Sequence, residues 1–245
     1  MYDIIKIALW GLFFGTFGTT IGGVIGVYLK IKSNKALGVI LEFAAGLMTS
    51  IVCFDLIPEA MANSNLVTII IGLLLGIIGM MICDGFVRQR LNYKEKNKTS
   101  SLLKAGLVIG IGLALHNFPE GLAIGSGFDA SYKLGISVAI AIAIHDIPEG
   151  ISMAVPMKNG GMTARKVALL TFLSGITTGI GALFGAMIGN ISESLISACL
   201  AFAAGAMLYI ISGELVPESN KLYNGRMASI GNIIGIILGI IACNL

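Results

Sequence analysis

The chain has 245 residues, of which 56% are hydrophobic and 12% are charged, and its mean hydropathy is +0.92. Soluble domains carry about 25% charged residues, so this composition excludes an ordinary soluble globular protein. We therefore predict an all-α integral membrane protein.

Apolar segments long enough to cross a hydrocarbon core about 30 Å thick recur along the whole sequence. We predict eight transmembrane helices in a single domain, residues 1–245, with no soluble domain between them. The first segment lacks a basic start and a cleavage site, so it is predicted to be a span and not a signal peptide. The predicted spans are residues 4–29, 36–58, 65–87, 103–127, 133–156, 164–189, 195–216 and 227–244.

The cysteines lie singly within these spans, and no CxxC motif occurs. They are predicted to be small apolar packing residues, and they give no indication of the redox compartment. Their positions are Cys53, Cys83, Cys199 and Cys243.

Basic residues are concentrated in alternate loops. If the N-terminus is outside, all of them except Lys6 and Lys133 fall in or beside the inner loops, most densely in the loop 88–102. The positive-inside rule therefore predicts that both termini are extracytoplasmic. We expect the protein in the cell (plasma) membrane as a multi-pass protein. "RQRLNYKEKNK" alone resembles a nucleic-acid patch, but its place after a span favours a cytoplasmic loop, and we predict no nucleic-acid partner.

The first three spans resemble the last three at an ungapped offset of 159 residues. "FAAGLM" from Phe43 matches "FAAGAM" from Phe202, and "DLIPE" from Asp55 matches "ELVPE" from Glu214. Corresponding spans are five helices apart, so the two halves must cross the bilayer in opposite directions. Spans four and five repeat at an offset of 29, which predicts a 3+2+3 arrangement with inverted repeats. Such repeats are typical of secondary transporters, whose substrate sites lie near the midplane.

Two histidine motifs occupy the middle of spans four and five. "HNFPEG" places His116 and Glu120 one turn apart, "HDIPEG" does the same for His145 and Glu149, and the chain has no other histidine. An ionised carboxylate at this depth costs at least about 2.5–3.5 kcal/mol, and two facing carboxylates repel each other. A divalent cation removes both problems. Two imidazoles and two carboxylates suit zinc well, and iron, manganese or cadmium are alternatives.

Asn117 and Asp146 directly follow the two histidines. They are predicted to bridge a second ion or to orient the first set of ligands. For Asn117 an interhelical hydrogen bond is an equally good interpretation. A buried His–Glu pair can also simply hold a helix bundle together, but two antiparallel copies that contain every histidine favour a metal site.

Two acidic pairs lie at the ends of spans two and seven. Asp55 and Glu59 end a span that runs outward, whereas Glu214 and Glu218 end one that runs inward. One pair is predicted to gather cations outside and the other to accept them inside, although Glu59 and Glu218 equally fit solvated helix ends. Asp84, near the inner end of span three, is predicted to join the inner pair or to pair with the arginine one turn later.

These features resemble the ZIP (Zrt/Irt-like) metal-ion transporters over essentially the whole chain. The doubled HxxPEG motif, the FAAG of spans two and seven and the basic loop after span three carry the resemblance. It implies uptake of divalent metal ions into the cytoplasm, chiefly zinc and in some members iron, manganese or cadmium. It also implies a homodimer with an elevator-like or rocking motion. The metal is then a substrate and not a prosthetic group, and no enzymatic activity is expected.

The resemblance also assigns roles to individual residues. Met48 matches a methionine at the family's outer gate, and Thr178 stands where many members have a glutamate. That departure removes one negative charge from the second ion's ligands. The residues that match the two adjacent metal sites are His116, Glu120, His145 and Glu149 for the central ion and Asn117 and Asp146 for the second ion, with both glutamates bridging.

Two other functions were compared with metal transport. An intramembrane zinc-dependent hydrolase needs an open coordination position and a nearby acid or base such as Asp146, but HExxH is absent and inverted repeats serve no hydrolase purpose. A proton-linked transporter of another solute would use the histidines as proton relays. The doubled motif favours metal transport over both.

Overall fold

The structure of the protein is a computed structural model that describes residues 3–28, 33–62, 64–91, 98–189 and 191–243. Helices account for nearly all of these residues, and no strand occurs among them. The predicted all-α class is therefore confirmed. The helices are α1 Ile4–Tyr28, α2 Asn34–Ala62, α3 Leu66–Leu91, α4 Lys98–Ala130, α5 Tyr132–Asn159, α6 Ala164–Gly189, α7 Glu193–Leu222 and α8 Arg226–Cys243.

Seven of these helices are long and apolar enough to cross a membrane. The helix α4, whose apolar residues are interrupted by His116, Asn117 and Glu120, is not one of the seven. Large apolar side chains such as Phe13 and Ile71 are exposed around the bundle, as expected where the solvent is lipid. The most enclosed of the seven is α5, with 78% of its apolar window buried against 22% for α3 and α8. The second histidine motif therefore lies on an interior helix.

Serine side chains mark the starts of three helices. Ser33, Ser131 and Ser192 each have an extended backbone and accept a hydrogen bond from the amide three residues later, at 3.3, 3.1 and 3.3 Å. Such caps satisfy a backbone N–H that has no partner within the helix. These serines therefore fix where α2, α5 and α7 begin.

The helices α2 and α7 each contain a π-helical segment, Ile51–Leu56 in α2 and Ile211–Leu215 in α7. Both helices continue several residues beyond the ends predicted at residues 58 and 216. Pro58 and Pro217 do not end these helices. Each proline lies just after the π segment, where the helix returns to α register, so its missing N–H removes few helical hydrogen bonds.

Helical residues extend into both ends of the predicted basic loop 88–102. The helix α3 continues to Leu91 and α4 begins at Lys98, while residues 92–97 lie outside the described residues. Lys30 and Lys32, which also supported the orientation, lie outside them as well. The residues "RQRL" at 88–91 are good helix formers despite their charge, which accounts for the continuation of α3.

The helices pack in two groups. The helices α1, α4, α5 and α6 form a four-helix unit in which α1 and α4 each lie against both α5 and α6. Outside this unit, α2 packs along α8 and α3 packs along α7. The four-helix unit meets the other four helices mainly where α4 contacts α7 and where α5 contacts α2. Both histidine motifs thus lie in the four-helix unit, close to its boundary with the other helices.

The glycine that ends each histidine motif lies against the backbone of a neighbouring helix. A Cβ atom at Gly121 would collide with the carbonyl oxygen of Thr178, and one at Gly150 would collide with that of Thr19. Only glycine permits this approach, because any side chain would push the helices apart. These contacts lock α4 to α6 and α5 to α1 beside the motifs.

Close helix contacts also occur in pairs that share the 159-residue offset. Gly76 lies against the carbonyl of Phe202, and Gly235 lies against the carbonyl of Phe43. In the same way, Gly46 meets the carbonyl of Asn232 and Gly205 meets that of Leu73. The offset carries Gly76 and Phe43 onto Gly235 and Phe202, and it carries Gly46 and Leu73 onto Gly205 and Asn232.

Candidate metal centre

Four buried side chains from α4 and α5 converge in the four-helix unit. One potential ligand atom from each of them lies within 4.8 Å of those of the other three. None of the four residues is more than 1% exposed. They are Glu120, His145, Asp146 and Glu149.

Hydrogen bonds orient the ring of His145 within this cluster. Its Nδ1 lies 3.1 Å from the carbonyl oxygen of Ala141, and its Nε2 lies 2.9 Å from Oε1 of Glu120. Only a protonated Nδ1 can donate to a carbonyl, so the contact with Ala141 assigns a proton to that nitrogen. Nε2 is then the ring nitrogen whose lone pair is available to a metal ion.

Most of the carboxylate oxygens in the cluster lack a donor. Oε2 of Glu120, both oxygens of Asp146 and both oxygens of Glu149 have no hydrogen-bond partner among the residues that the structure describes. Oδ1 of Asp146 comes within 3.5 Å of Nε2 of His145 without forming a hydrogen bond. Carboxylates in such a place repel one another and lose their hydration, and a bound cation relieves both effects.

Asn117 links α4 to α6. Its Nδ2 donates a hydrogen bond of 3.0 Å to the carbonyl oxygen of Ser174, which is the interhelical bond that the sequence offered as one interpretation. Its Oδ1 is buried and, within the described ranges, accepts no hydrogen bond. The hydroxyl of Thr178, one turn after Ser174, is also buried without a partner there. The oxygens of Asn117 and Thr178 are therefore both available to a further ligand.

His116 lies outside the four-residue cluster. Its Nε2 is 3.2 Å from Oε1 of Glu214 in the π segment of α7, and the two side chains are 7% and 21% exposed. This contact crosses the boundary between the four-helix unit and α7. The structure therefore groups His116 with one of the predicted exit residues, whereas His145 is grouped with Glu120.

The remaining pathway candidates are not among the four clustered residues. Met48 is fully buried in the apolar core. Asp55 is buried and accepts a hydrogen bond of 3.2 Å from Ser137, and Glu59 is partly exposed. Asp84 on α3 accepts a hydrogen bond of 3.0 Å from the hydroxyl of Tyr209 on α7.

Glu218 forms a surface ion pair. Its Oε2 lies 3.0 Å from Nζ of Lys221, three residues later on the same helix, and the two side chains are 44% and 69% exposed. This arrangement fits the solvated helix end that the sequence allowed for Glu218. Glu214, which lies one turn earlier, is the more enclosed member of that pair.

Several contacting residues were not found by sequence reasoning. Ser174, which accepts the hydrogen bond from Asn117, was not singled out, although its spacing to Thr178 puts both residues on one face of α6 and was available as a signal. Glu42 is a buried acid that accepts a hydrogen bond of 2.9 Å from Asn232, and its isolation in an apolar segment was also a signal. Nothing in the pattern singled out Ala141, because a carbonyl exists at every residue.

A protein-family model described as "ZIP Zinc transporter" matches residues 87–243, which include both histidine motifs. The chain belongs to the ZIP zinc transporter family. This membership confirms the resemblance that the motifs indicated. The match begins at residue 87, near the end of α3, and the relative described next covers 97% of the chain.

This ZIP protein is 30% identical to the zinc transporter ZupT of Chlorobium chlorochromatii over 259 residues, which is 97% of each chain. It is 41% identical over 138 residues to the zinc transporter GufA of Myxococcus xanthus and 36% identical over 146 residues to the human zinc transporter ZIP11. The last two matches cover 54% and 42% of those proteins, so the chain spans about half the length of GufA and less of ZIP11.

Proposed function

We propose that the chain transports divalent transition-metal cations into the cytoplasm, with zinc as the main substrate and cadmium, iron or manganese as further candidates. The observation that carries the proposal is the buried cluster in α4 and α5, whose carboxylate oxygens lack donors. The relatives named as zinc transporters support it. The ion is the cargo of this site, and no prosthetic group or enzymatic step is required.

The proposed ligands of the central ion are the imidazoles and glutamates of the two motifs. Nε2 of His145 and the carboxylates of Glu120 and Glu149 are already together. His116 lies one turn before Glu120 on the same face of α4, and we propose that it joins them by leaving Glu214. Nitrogen and carboxylate oxygen in this ratio suit a tetrahedral zinc ion.

A second, adjacent ion is the finer part of the proposal. Asn117 and Asp146 are its proposed ligands, with Glu120 and Glu149 as bridges. The free Oδ1 of Asn117 and the free oxygens of Asp146 support this assignment. Thr178 supplies a neutral hydroxyl there, so we propose that the second ion binds more weakly than the first.

We further propose that α4 is an eighth membrane span and that the helices form a 3+2+3 arrangement with inverted repeats in one transmembrane domain. The paired contacts of Gly76 with Phe202 and of Gly235 with Phe43 support the repeat. So do the π segments Ile51–Leu56 and Ile211–Leu215, which occupy corresponding positions. The distribution of Lys and Arg supports extracytoplasmic termini, and we propose the plasma membrane as the location.

The proposed route leads from the acids of α2, through the cluster, to the acids of α7 and α3. Asp55 and Glu59 receive the ion, and Met48 lies beside this outer part of the route. Glu214, Glu218 and Asp84 accept it on the inner side, and the contact between His116 and Glu214 supports a direct step from the cluster to the exit. Movement of the four-helix unit against the other helices would open each side in turn, in a homodimer.

Uptake by proteoliposomes tests the proposal. Radiolabelled zinc or cadmium is offered to vesicles with the wild-type chain or with Glu120→Gln plus Glu149→Gln, which keep the side-chain volumes. Uptake is expected for the wild type and not for the double variant. Glu193→Gln on an exposed first turn of α7 is the matched control and should transport normally. Equal uptake by the wild type and the double variant would contradict metal transport through this cluster.

A further inference from the structure

The side chain of Asp146 is positioned by packing and not by hydrogen bonds. It is fully buried, and neither of its carboxylate oxygens accepts a hydrogen bond within the described residues. At the other motif, by contrast, Asn117 is fixed by the hydrogen bond from its Nδ2 to the carbonyl oxygen of Ser174 on α6. The position of Asp146 must therefore depend on the atoms that lie against it.

The helix that lies against Asp146 is α1, and a glycine makes the contact. A Cβ atom placed at Gly18 would lie 2.6 Å from the Cβ of Asp146 and 2.5 Å from the carbonyl oxygen of Ala143. Because non-bonded carbon atoms pack at about 3.5–4.0 Å, only a residue without a side chain permits this approach. One oxygen of Asp146 meanwhile lies 3.5 Å from Nε2 of His145. The helix α1 thus leaves Asp146 no room to withdraw toward it.

The internal repeat gives this contact a counterpart at the first motif. The 159-residue offset carries α1 onto α6, and it carries Thr19 onto Thr178. The carbonyl of Thr19 lies against Gly150 of the second motif, and that of Thr178 lies against Gly121 of the first. Each of these two helices therefore supports one motif. The helix α6 holds the residue after the first histidine by a hydrogen bond, whereas α1 holds the residue after the second histidine by the contact at Gly18.

We propose that Gly18 is a positioning residue for Asp146, which lets α1 pack directly behind this carboxylate and thereby sets the affinity of the second, weaker ion. The inference rests on the proposed function, in which Asp146 is a ligand of that ion. A methyl group at Gly18 would move Asp146 or α5 by about 1 Å, the difference between 2.6 Å and ordinary carbon contact. Metal–ligand distances are kept within about 0.2 Å, so this shift would remove a ligand.

Gly18→Ala and Gly22→Ala form a matched pair for the test. Both glycines lie on α1 against α5, but the three atoms nearest to a Cβ at Gly22 are backbone atoms of Ile147 and Gly150. Both variants should therefore lose thermal stability to a similar extent. Calorimetric titration of the full-length chain in detergent with zinc should show a strong and a weak binding step in the wild type. Gly18→Ala should weaken the weak step by about 10–100-fold and leave the strong step unchanged, whereas Gly22→Ala should change neither step.

A second measurement needs only the wild type and therefore also covers a Gly18→Ala protein that does not fold. When zinc fills the weak step, amide hydrogen exchange should slow in the α1 peptide that contains Gly18 and not in α3, which packs along α7. The proposal is overturned by exchange around Gly18 that zinc does not slow. It is also overturned by a weak step that Gly18→Ala leaves unchanged or that Gly22→Ala weakens equally.

The same titration separates this inference from the proposed function. Two binding steps without zinc uptake into proteoliposomes would contradict only transport. Zinc uptake together with a weak step that does not respond to Gly18→Ala would contradict only the role of Gly18. A single binding step in the wild type would overturn both the second ion and this inference.

Discussion

Nε2 of His145 lies 2.9 Å from Oε1 of Glu120, and this contact joins α4 to α5 at the centre of the cluster. Both atoms are ones that a metal ion would need. In the absence of an ion, a proton between them makes the bond. A metal ion that binds at Nε2 must displace that proton, so metal binding and proton release are coupled at this pair.

Glu149→Gln is expected to stabilise the metal-free protein and to weaken its response to zinc. Both carboxylate oxygens of Glu149 are buried without a partner in the described part of the chain, beside two other acids. Removing one charge should raise the free energy of unfolding by about 1–3 kcal/mol. Wild type at a zinc concentration 100 times the Kd should gain about 2.7 kcal/mol, and the variant should gain far less. Thermal unfolding with and without zinc measures both effects.

The control for this prediction is Glu193→Gln. Glu193 is exposed on the first turn of α7, so its loss should change neither the metal-free stability nor the zinc-dependent gain. A metal-free Glu149→Gln protein that unfolds more easily than the wild type, yet keeps the full zinc effect, would show that Glu149 stabilises the fold and does not bind the ion.

Alanine at either motif glycine should loosen the four-helix unit. A Cβ at Gly121 or Gly150 would collide with the carbonyl of Thr178 or Thr19, and we expect a loss of about 1–3 kcal/mol in the free energy of unfolding. Gly85 on α3 is the matched control, because no described atom lies within 4 Å of a Cβ placed there. Gly85→Ala should be neutral or more stable by about 1 kcal/mol or less. Equal losses at all three positions would contradict the packing argument.

The helices and the two motifs could be predicted because they depend on local patterns. A long apolar segment has to be helical in lipid, and an i,i+4 spacing puts His145 and Glu149 on one helix face. The 159-residue offset likewise indicated which helices correspond. None of these inferences needed a side-chain orientation.

The contact between His116 and Glu214 could not be predicted in this way. Glu214 lies in a π segment, where the extra residue per turn rotates every following side chain relative to a regular α-helix. The same applies to Asp55 in the segment Ile51–Leu56. A helical wheel drawn at 3.6 residues per turn therefore misplaces both acids, and their partners appear only when the helices are packed.

Replacing His145 with glutamine should separate its structural role from its metal-binding role. An amide N–H of glutamine can donate to Glu120 in place of the imidazole, but an amide is a poor ligand for zinc. We expect the metal-free His145→Gln protein to keep its stability within about 1 kcal/mol, because interhelical hydrogen bonds in membranes average about 0.6 kcal/mol. Calorimetry should show zinc binding weakened by about 100-fold. His145→Ala should lose both the hydrogen bond to Glu120 and the zinc affinity. Unchanged zinc affinity in His145→Gln would exclude this imidazole as a ligand.

Glu214 and Glu218 are one turn apart and offer a matched pair for testing the exit. Glu214 contacts His116 at 3.2 Å in a largely enclosed position, whereas Glu218 pairs with Lys221 at the surface. A hydrogen bond to a charged group contributes about 1.5–3 kcal/mol, so Glu214→Gln should slow zinc uptake about tenfold or more. An exposed ion pair contributes about 0.2–1 kcal/mol, so Glu218→Gln should change uptake by less than about fivefold. Initial rates in proteoliposomes measure both. If Glu218→Gln slowed uptake as much as Glu214→Gln, the exit would depend on surface charge in general and not on transfer from His116 to Glu214.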